Sequence, residues 1–424
     1  MDVLKHVLSL GTFTGLNHIS RVIMTLLLAR FMGAEHFGTF AALLALCEVL
    51  LLPASMGFVS SLMRIAHPLY ESQQHALLQG LKRVYFAVAL SFGIIFVAVV
   101  LFGYALFSPH ALANEHLEYL LFIVPLGALM QCQASFLIAL DAKRRGLLTQ
   151  QSLFEIFTAA SCAYLYFQHG PLQLEMVCQA LIASISIVVI LQFVLIFPLL
   201  EKDKPAYQTA HWCKSSLRLL ASGAGVALVA KLDVLLVHHW LGPKAVSVFY
   251  PAVVIAGLMA ILSNAFGLVL KPMLLKKQID SFEIARVMRL FWVCNLVFVL
   301  VLAVAAYPLL ALYQEPEMES GHTLLLILLL AQLITPLRIC ASSVINLIGE
   351  PLYNLWVLLF ATAVTVLLAW YCQAQFGLLG IAWAFCFGFV LGAVLRAWLV
   401  IKLGYLDSIE HLFGLFKPSI KAQL

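Results

Sequence analysis

The chain has 424 residues, of which 63% are hydrophobic and only 11% charged, with a formal net charge of +5. A soluble domain carries about 25% charged residues, so a chain with mean hydropathy +1.02 has too little charged surface for water and reads as a polytopic membrane protein. The basic excess does not argue for a nucleic-acid partner, because its placement follows the sides of a membrane.

A crossing helix needs about 20 apolar residues. Runs of that kind fall near 9–31, 38–62, 82–107, 118–140, 147–167, 176–199, 217–240, 246–270, 288–312, 322–346, 351–372 and 378–402. These predict an all-α protein of about twelve transmembrane helices, with no room for a separate soluble domain. The first run is too long for a signal-peptide core and has no obvious small-residue cleavage site.

If the N-terminus is cytoplasmic, twenty of the 25 lysines and arginines fall on the inner side, among them Lys82, Arg83, Lys143, Arg144, Arg145, Lys202, Lys276, Lys277, Arg396 and Lys402. Arg30 and Lys244 alone fall at the outer ends, and the outer loops carry Glu115, Glu118, Glu175, Glu315, Glu317 and Glu319. This asymmetry is the positive-inside pattern, and an even helix count puts both termini in the cytoplasm. Residues 404–424 read either as a short interfacial helix with a basic tail or as a frayed end.

The nine cysteines are odd in number, form no C-x-x-C and lie mostly in apolar runs. They read as buried small hydrophobes, with neither a metal site nor a disulfide framework. His169, His238, His239 and His322 fall near the outer surface and read as interfacial residues rather than metal ligands.

The two halves repeat. "LARFMGAEHFGTFAAL" from residue 28 aligns with "VHHWLGPKAVSVFYPA" from residue 237, placing Gly33 on Gly242 and Phe40 on Phe249. Further along, "YFQHGPLQ" aligns with "AQFGLLG", placing Gly170 on Gly377. The loop "LDAKRRG" falls opposite "LIGEPLYN". Six helices per repeat is an even number, so the repeats run parallel, related by an axis along the membrane normal, around a central cavity. The expected lobes are 1–203 and 204–403, followed by the tail 404–424.

On these stretches, together with "KLDVLLVHHWLGPKAVSVFY" and "FGLLGIAWA", the chain resembles the polysaccharide or O-antigen flippases of the multidrug/oligosaccharidyl-lipid/polysaccharide exporter superfamily. Ser247 departs from the pattern, since the family often has glycine before the aromatic. The resemblance implies a transporter rather than an enzyme, sited in a bacterial inner membrane. It would flip an undecaprenyl-diphosphate-linked oligosaccharide, such as an O-antigen or capsule repeat unit, by alternating access. The implied partners are that lipid-linked oligosaccharide, membrane lipids, and the polysaccharide polymerase and chain-length proteins.

Six charges lie inside the predicted spans: Arg21, Lys231, Arg338, Glu48, Glu155 and Asp233. A charge at the bilayer centre costs roughly 2.5–3.5 kcal/mol even on the milder insertion scale, so such residues face a cavity or a partner. Arg21 and Glu48 each lie about ten residues, or ~15 Å, from the outer end of their helices. They can therefore meet at mid-membrane, as a static pair or in the lining of a cavity. Thr14, Asn17, His18, Arg21 and Thr25 form one polar stripe. Pro53 frees the carbonyl of Val49 beside Glu48.

Lys231 and Asp233 are two residues apart and leave a regular helix on different faces. At least one should look into the cavity, with helix eight or ten as the other source of a partner. Glu155 shares a stripe with Gln151, Ser152, Thr158 and Cys162, suited to the path or to a helix-packing hydrogen bond. Arg338 lies nearer the inner face, where it joins the path or snorkels to headgroups.

Because a buried guanidinium suits phosphate recognition, Arg21, Lys231, Asn17 and Arg338 are the candidate substrate contacts. Glu48, Asp233 and Glu155 are candidates for charge balance, or for coupling to a proton or sodium gradient; no cofactor is expected.

A cation-coupled multidrug exporter of the same superfamily is the main competitor, and it would favour a net acidic cavity. A polytopic glycan-assembly enzyme would need a catalytic outer loop, and the longest here are about ten residues with no convergent acid–base group. No G-x-x-x-x-G-K-[ST] motif occurs, which speaks against ATP hydrolysis within this chain. A scaffold would gain nothing from Arg21.

Overall fold

A computed structural model describes residues 2–107, 116–200, 203–274, 281–311, 318–347 and 349–403. Lys202, Lys276, Lys277, Glu115, Glu315, Glu317 and the tail 404–424, assigned to membrane sides above, lie outside the described residues. The described residues fold as helices with no strand among them. Helical stretches occupy all twelve predicted places, and we number them α1 to α12.

The first is α1 (Asp2–Met32), and α2 covers 34–71 with a break at 55–57. Next come α3 (75–107) and α4 (117–139), the former with a π-turn at Val88–Phe92. In α5 (143–169) a second π-turn lies at Leu148–Ser152, and α6 is Leu174–Ile196. Two segments, Thr209–Val229 and Leu232–Leu241, make up α7, and two more, Pro243–Ala256 and Met259–Leu274, make up α8. The ninth, α9, is Ser281–Ala311. Met318–Gln332 and Thr335–Leu347, bent by 44°, form α10. The 52-residue stretch Pro351–Lys402 is interrupted at Gly377 and supplies α11 and α12.

Seven of the described stretches are singly long and apolar enough to cross a membrane, or eight with the bent pair taken as one span. The stretches that fall short are α1, α5 and α7, which are also the helices that carry Arg21, Glu155, Lys231 and Asp233. Large apolar side chains cover the outer faces of the others, with Phe102, Val304, Leu367 and Trp370 each more than 60% exposed. Such faces are tolerable only against lipid. The protein is a multi-pass helical membrane protein.

The chain forms two compact units, one of Ile19–Ser247 and the other of Met1–His18 with Val248–Leu424. Within the first, α4 is the core helix: fifteen of its residues are buried, and α2, α3 and α6 pack around it. Both segments of α7 pack on α2. The 203–208 segment ahead of α7 lies on the start of α3, where Ala206 N–H donates to the Ala76 carbonyl at 2.9 Å. In the second unit Leu270, Met288, Phe291, Leu337, Ala341, Val344, Ala397 and Val400 build one core, with Phe266 stacked on Phe291 at 4.3 Å.

The repeat shows in the backbone. Gly33 (φ 74, ψ 167) and Gly242 (φ 81, ψ −179) turn α1 into α2 and α7 into α8. Gly170 (φ 78, ψ −148) and Gly377 (φ 55, ψ −132) do the same between α5 and α6 and between α11 and α12. All four sit in or beside a region that is essentially reserved for glycine. A Cβ at any of them would meet nothing within 4 Å, so backbone conformation and not crowding selects glycine.

Gly38 is the opposite case. A Cβ there would lie 1.8 Å from the Pro243 carbonyl oxygen, so the first turn of α2 rests directly on the first turn of α8. Ser247, aligned with Gly38 in the repeat, has room for its side chain and donates its hydroxyl to the Lys244 carbonyl at 2.8 Å. That room explains how serine is accepted in place of the resembled family's glycine.

Gly242→Ala should cost about 1–3 kcal/mol, the strain of a side chain in that region. Gly38→Ala should cost more, because backbone must move away from backbone. Thermal unfolding of purified protein in detergent tests the order; a Gly38→Ala protein as stable as wild type would contradict the close packing of the two corners.

Candidate functional site

Within the unit Ile19–Ser247, Glu48 of α2 holds two cations at once. Its Oε1 accepts from the Arg21 guanidinium of α1, and its Oε2 lies 2.6 Å from Lys231 Nζ of α7. The three side chains are 17% (Arg21), 25% (Glu48) and 21% (Lys231) exposed, so bulk water screens them little. One carboxylate is thus shared between two cations.

The Arg21–Glu48 meeting expected at mid-membrane is therefore present. The partner of Lys231 is on α2, not on helix eight or ten. The reason is local: α7 breaks at 230–231, and Lys231 (φ −123, ψ 0) caps the second segment. Its side chain leaves from a turn, and α7 is packed on α2.

Asp233 stands in the first turn of Leu232–Leu241, where a negative charge opposes the helix dipole favourably. Its Oδ1 accepts from Val234 N–H at 2.8 Å, and it forms no ion pair among the described residues. Glu155 of α5 is 2% exposed and accepts from the Ser20 hydroxyl of α1. Adjacent residues of α1 thus reach carboxylates on two different helices. Arg21, Glu48 and Glu155, with Met24, Cys47, Met130 and Gln131, line a cavity of about 250 Å³. Its wall is mostly apolar, so the few charges on it act with little competition from water.

Behind this wall lies an amide layer that includes none of the charged candidates. Gln150 Nε2 donates to Gln131 Oε1 at 3.3 Å. Gln192 Nε2 donates to the carbonyl and hydroxyl oxygens of Thr149 at 3.2 and 3.1 Å. Thr149 and Gln150 lie in the π-turn Leu148–Ser152, a distortion often found at functional sites. The available signal was "TQQS", four polar residues at the head of an apolar run.

Asn17 is buried one turn before Arg21; it is grouped with the other unit, as is Arg338. Arg338 stacks on the Phe389 ring, 4.7 Å from its centroid, and its Nε is buried without a hydrogen-bond acceptor. Arg396, counted above on the inner side, is 8% exposed inside the same unit. It donates from Nε to Asn354 Oδ1 at 2.6 Å and from Nη1 to the Gly392 carbonyl at 2.8 Å.

Twelve helices in two repeats, with a charged cluster beside a membrane-embedded cavity, define a protein of the transporter-fold class. The chain belongs to the polysaccharide biosynthesis protein family, whose model matches residues 3–278. Among solved structures it is similar to an inward-facing multidrug resistance MATE family transporter of the MOP superfamily. That likeness has a TM-score of 0.71 at 14% identity, covering 91% of this chain and 94% of the other. The MATE multidrug transporter DinF-BH aligns with TM-score 0.66 at 14% identity over 98% and 97% of the two chains. The lipid II flippase MurJ in an inward closed conformation aligns with TM-score 0.63 at 15% identity over 93% and 87%. At these identities the likenesses show the fold. No curated protein matches the sequence.

Neutralising the shared carboxylate leaves two cations facing each other. Breaking a buried ion pair from one side costs roughly 3–5 kcal/mol, so Glu48→Gln should lower the unfolding midpoint clearly. Adding Lys231→Met removes one of the stranded charges and should restore part of the loss. A double variant less stable than Glu48→Gln, by the full cost of Lys231→Met alone, would show that the three residues are not energetically coupled.

Proposed function

We propose that the protein translocates a lipid-linked oligosaccharide across the membrane by alternating access. The substrate class would be an undecaprenyl-diphosphate glycan such as an O-antigen or capsule repeat unit. The carrying observation is the Arg21–Glu48–Lys231 cluster, two cations on one carboxylate, of which Arg21 and Glu48 line the cavity. Membership of the polysaccharide biosynthesis family supports the glycan class. The likeness to a lipid II flippase fold supports a flipping motion as the means.

The chemistry is an exchange of anions. A diphosphate crossing hydrocarbon needs fixed positive charge in place of water. Arg21 offers planar, bidentate recognition and Lys231 a compact point charge. In the resting cluster both are held by Glu48, which pre-orients them and lowers the cost of having them buried. The incoming diphosphate displaces Glu48 from one or both cations, leaving the carboxylate free to take a proton or a sodium ion. Asp233 and Glu155 then serve as the nearby charge-balancing groups. On this reading the protein is a transporter and not an enzyme. It sits in a bacterial inner membrane with both termini cytoplasmic, alongside the polymerase and chain-length proteins that use its product.

A second reading has its own support. The cavity wall carries two carboxylates and is otherwise largely apolar, as would suit an organic cation, and two of the similar folds are multidrug transporters.

One assay separates them. The protein is reconstituted in liposomes with an undecaprenyl-diphosphate-linked oligosaccharide, and an impermeant lectin reports glycan reaching the far leaflet. Wild-type protein should give transfer, Arg21→Ala should abolish it, and Arg21→Lys should retain part because charge survives without the bidentate fork. Full transfer by Arg21→Ala would refute the role of this cluster. Uptake of a cationic rhodamine dye with no glycan transfer would favour the exporter.

A further inference from the structure

The unit Met1–His18 with Val248–Leu424 contains two further cations, a half-buried Arg338 and an Arg396 only 8% exposed, that no carboxylate among the described residues neutralises. Arg338 is on α10 and Arg396 on α12. Neither forms an ion pair with a carboxylate among the described residues, and their chain neighbours Leu337 and Ala397 belong to one core. Burying one unpaired cation is costly, and burying two more so.

The surroundings position both groups without compensating their charge. Phe389 covers one face of Arg338. No hydrogen bond from its guanidinium to protein is present among the described residues, although its Nε is fully buried. Arg396 is aimed by neutral acceptors, the Asn354 side chain and the Gly392 carbonyl. Asn354 is itself fixed, donating to Ser342 Oγ at 3.1 Å and to Asn346 Oδ1 at 3.2 Å. Gly392 leaves the space: a Cβ there would lie 2.9 Å from Arg396 Nη1. Three neutral or apolar groups thus hold two guanidinium forks beside a core of Leu337, Ala341, Ala397 and Val400. The donors of Arg338 and the Nη2 of Arg396 remain for a ligand.

We propose that Arg338 and Arg396 form an anion site for a phosphate or diphosphate ester of a lipid. The cluster lies towards the end of the unit where α10 stops at Leu347 and α11 starts at Pro351. The lysine and arginine distribution assigns that end to the cytoplasm. The inference rests on the transport reading above in one respect: if that reading holds, this site is where the diphosphate is first taken from the inner leaflet, ahead of Arg21 and Lys231. The same chemistry would equally accept a phospholipid headgroup.

The test uses the full chain in neutral detergent, with farnesyl diphosphate as a short polyprenyl diphosphate probe and phosphatidylglycerol as competitor. Arg338→Gln should weaken probe binding by about tenfold or more, the loss of charge-assisted donors. The effect should persist in an Arg21→Ala background, where the first cluster is crippled. Arg396→Gln should do the same, and Arg396→Lys, which keeps the charge if the glutamine form does not fold, should fall between. Competition by phosphatidylglycerol at similar concentration would assign the site to phospholipid, and its absence to the diphosphate; both uphold the phosphate site.

Wild-type affinity in Arg338→Gln and in a folded Arg396 variant would overturn the proposal, even if the flippase assay still depends on Arg21. Arg338-dependent binding by a protein that flips no glycan would instead keep the site and remove the transport reading.

Discussion

The carboxylate of Glu48 is the constraint on which the first unit is organised. It sits on α2 and holds Arg21 of α1 and Lys231 of α7 with its two oxygens. Those two helices are equivalents in the repeat, and the two cations fall one position apart when the halves are aligned. A single anion therefore ties one helix from each sequence half to a third. On the proposed transport reading, setting two cations on one carboxylate is the useful property. A fully neutral pair would be a strut, whereas a pair of cations on one carboxylate has affinity left for a second anion. The neighbouring Ser20–Glu155 contact adds α5 to the same assembly, so polar contacts join four helices at or beside the cavity.

The two units bury positive charge by different means. In the first, Glu48 supplies the counter-charge. In the second, Arg338 and Arg396 are held by an aromatic face, an amide and a backbone carbonyl, none of which cancels charge. Internal desolvation penalties of this size persist only where the surroundings over-determine the geometry or a ligand compensates them. The contrast also shows how far the repeat extends. It governs the corners, where Gly33 and Gly242 share one backbone conformation, and it does not govern the chemistry mounted between them.

How much was legible depended on which physical quantity a residue expresses locally. Hydropathy is a property of a run, so all twelve helices could be placed from composition, and the break at Gly377 within Pro351–Lys402 was visible as the gap between two runs. The glycine alignment was visible because a backbone region open to glycine alone leaves a one-letter trace. Arg21 and Glu48 could be matched because the short α1–α2 connection forces antiparallel neighbours, making depth a matter of counting. Lys231 defeated the same arithmetic: its partner is nearly two hundred residues away, and a break in α7 that no pattern announces turned its side chain. Arg396 was legible only as a basic residue near a helix end; packing alone shows that it is buried against Asn354 and Gly392.

The sequence by itself determined that the chain crosses a membrane about twelve times, that its halves repeat, and that a few ionisable groups are stranded where ionisation is expensive. These follow from local physics, the transfer cost of each run and the conformational freedom of single glycines. Tertiary structure alone decided which of those groups meet. It put Lys231 on Glu48, Ser20 on Glu155, Arg338 on Phe389 and Arg396 on Asn354, because electrostatic partnership depends on distances between helices and no local pattern of residues encodes them.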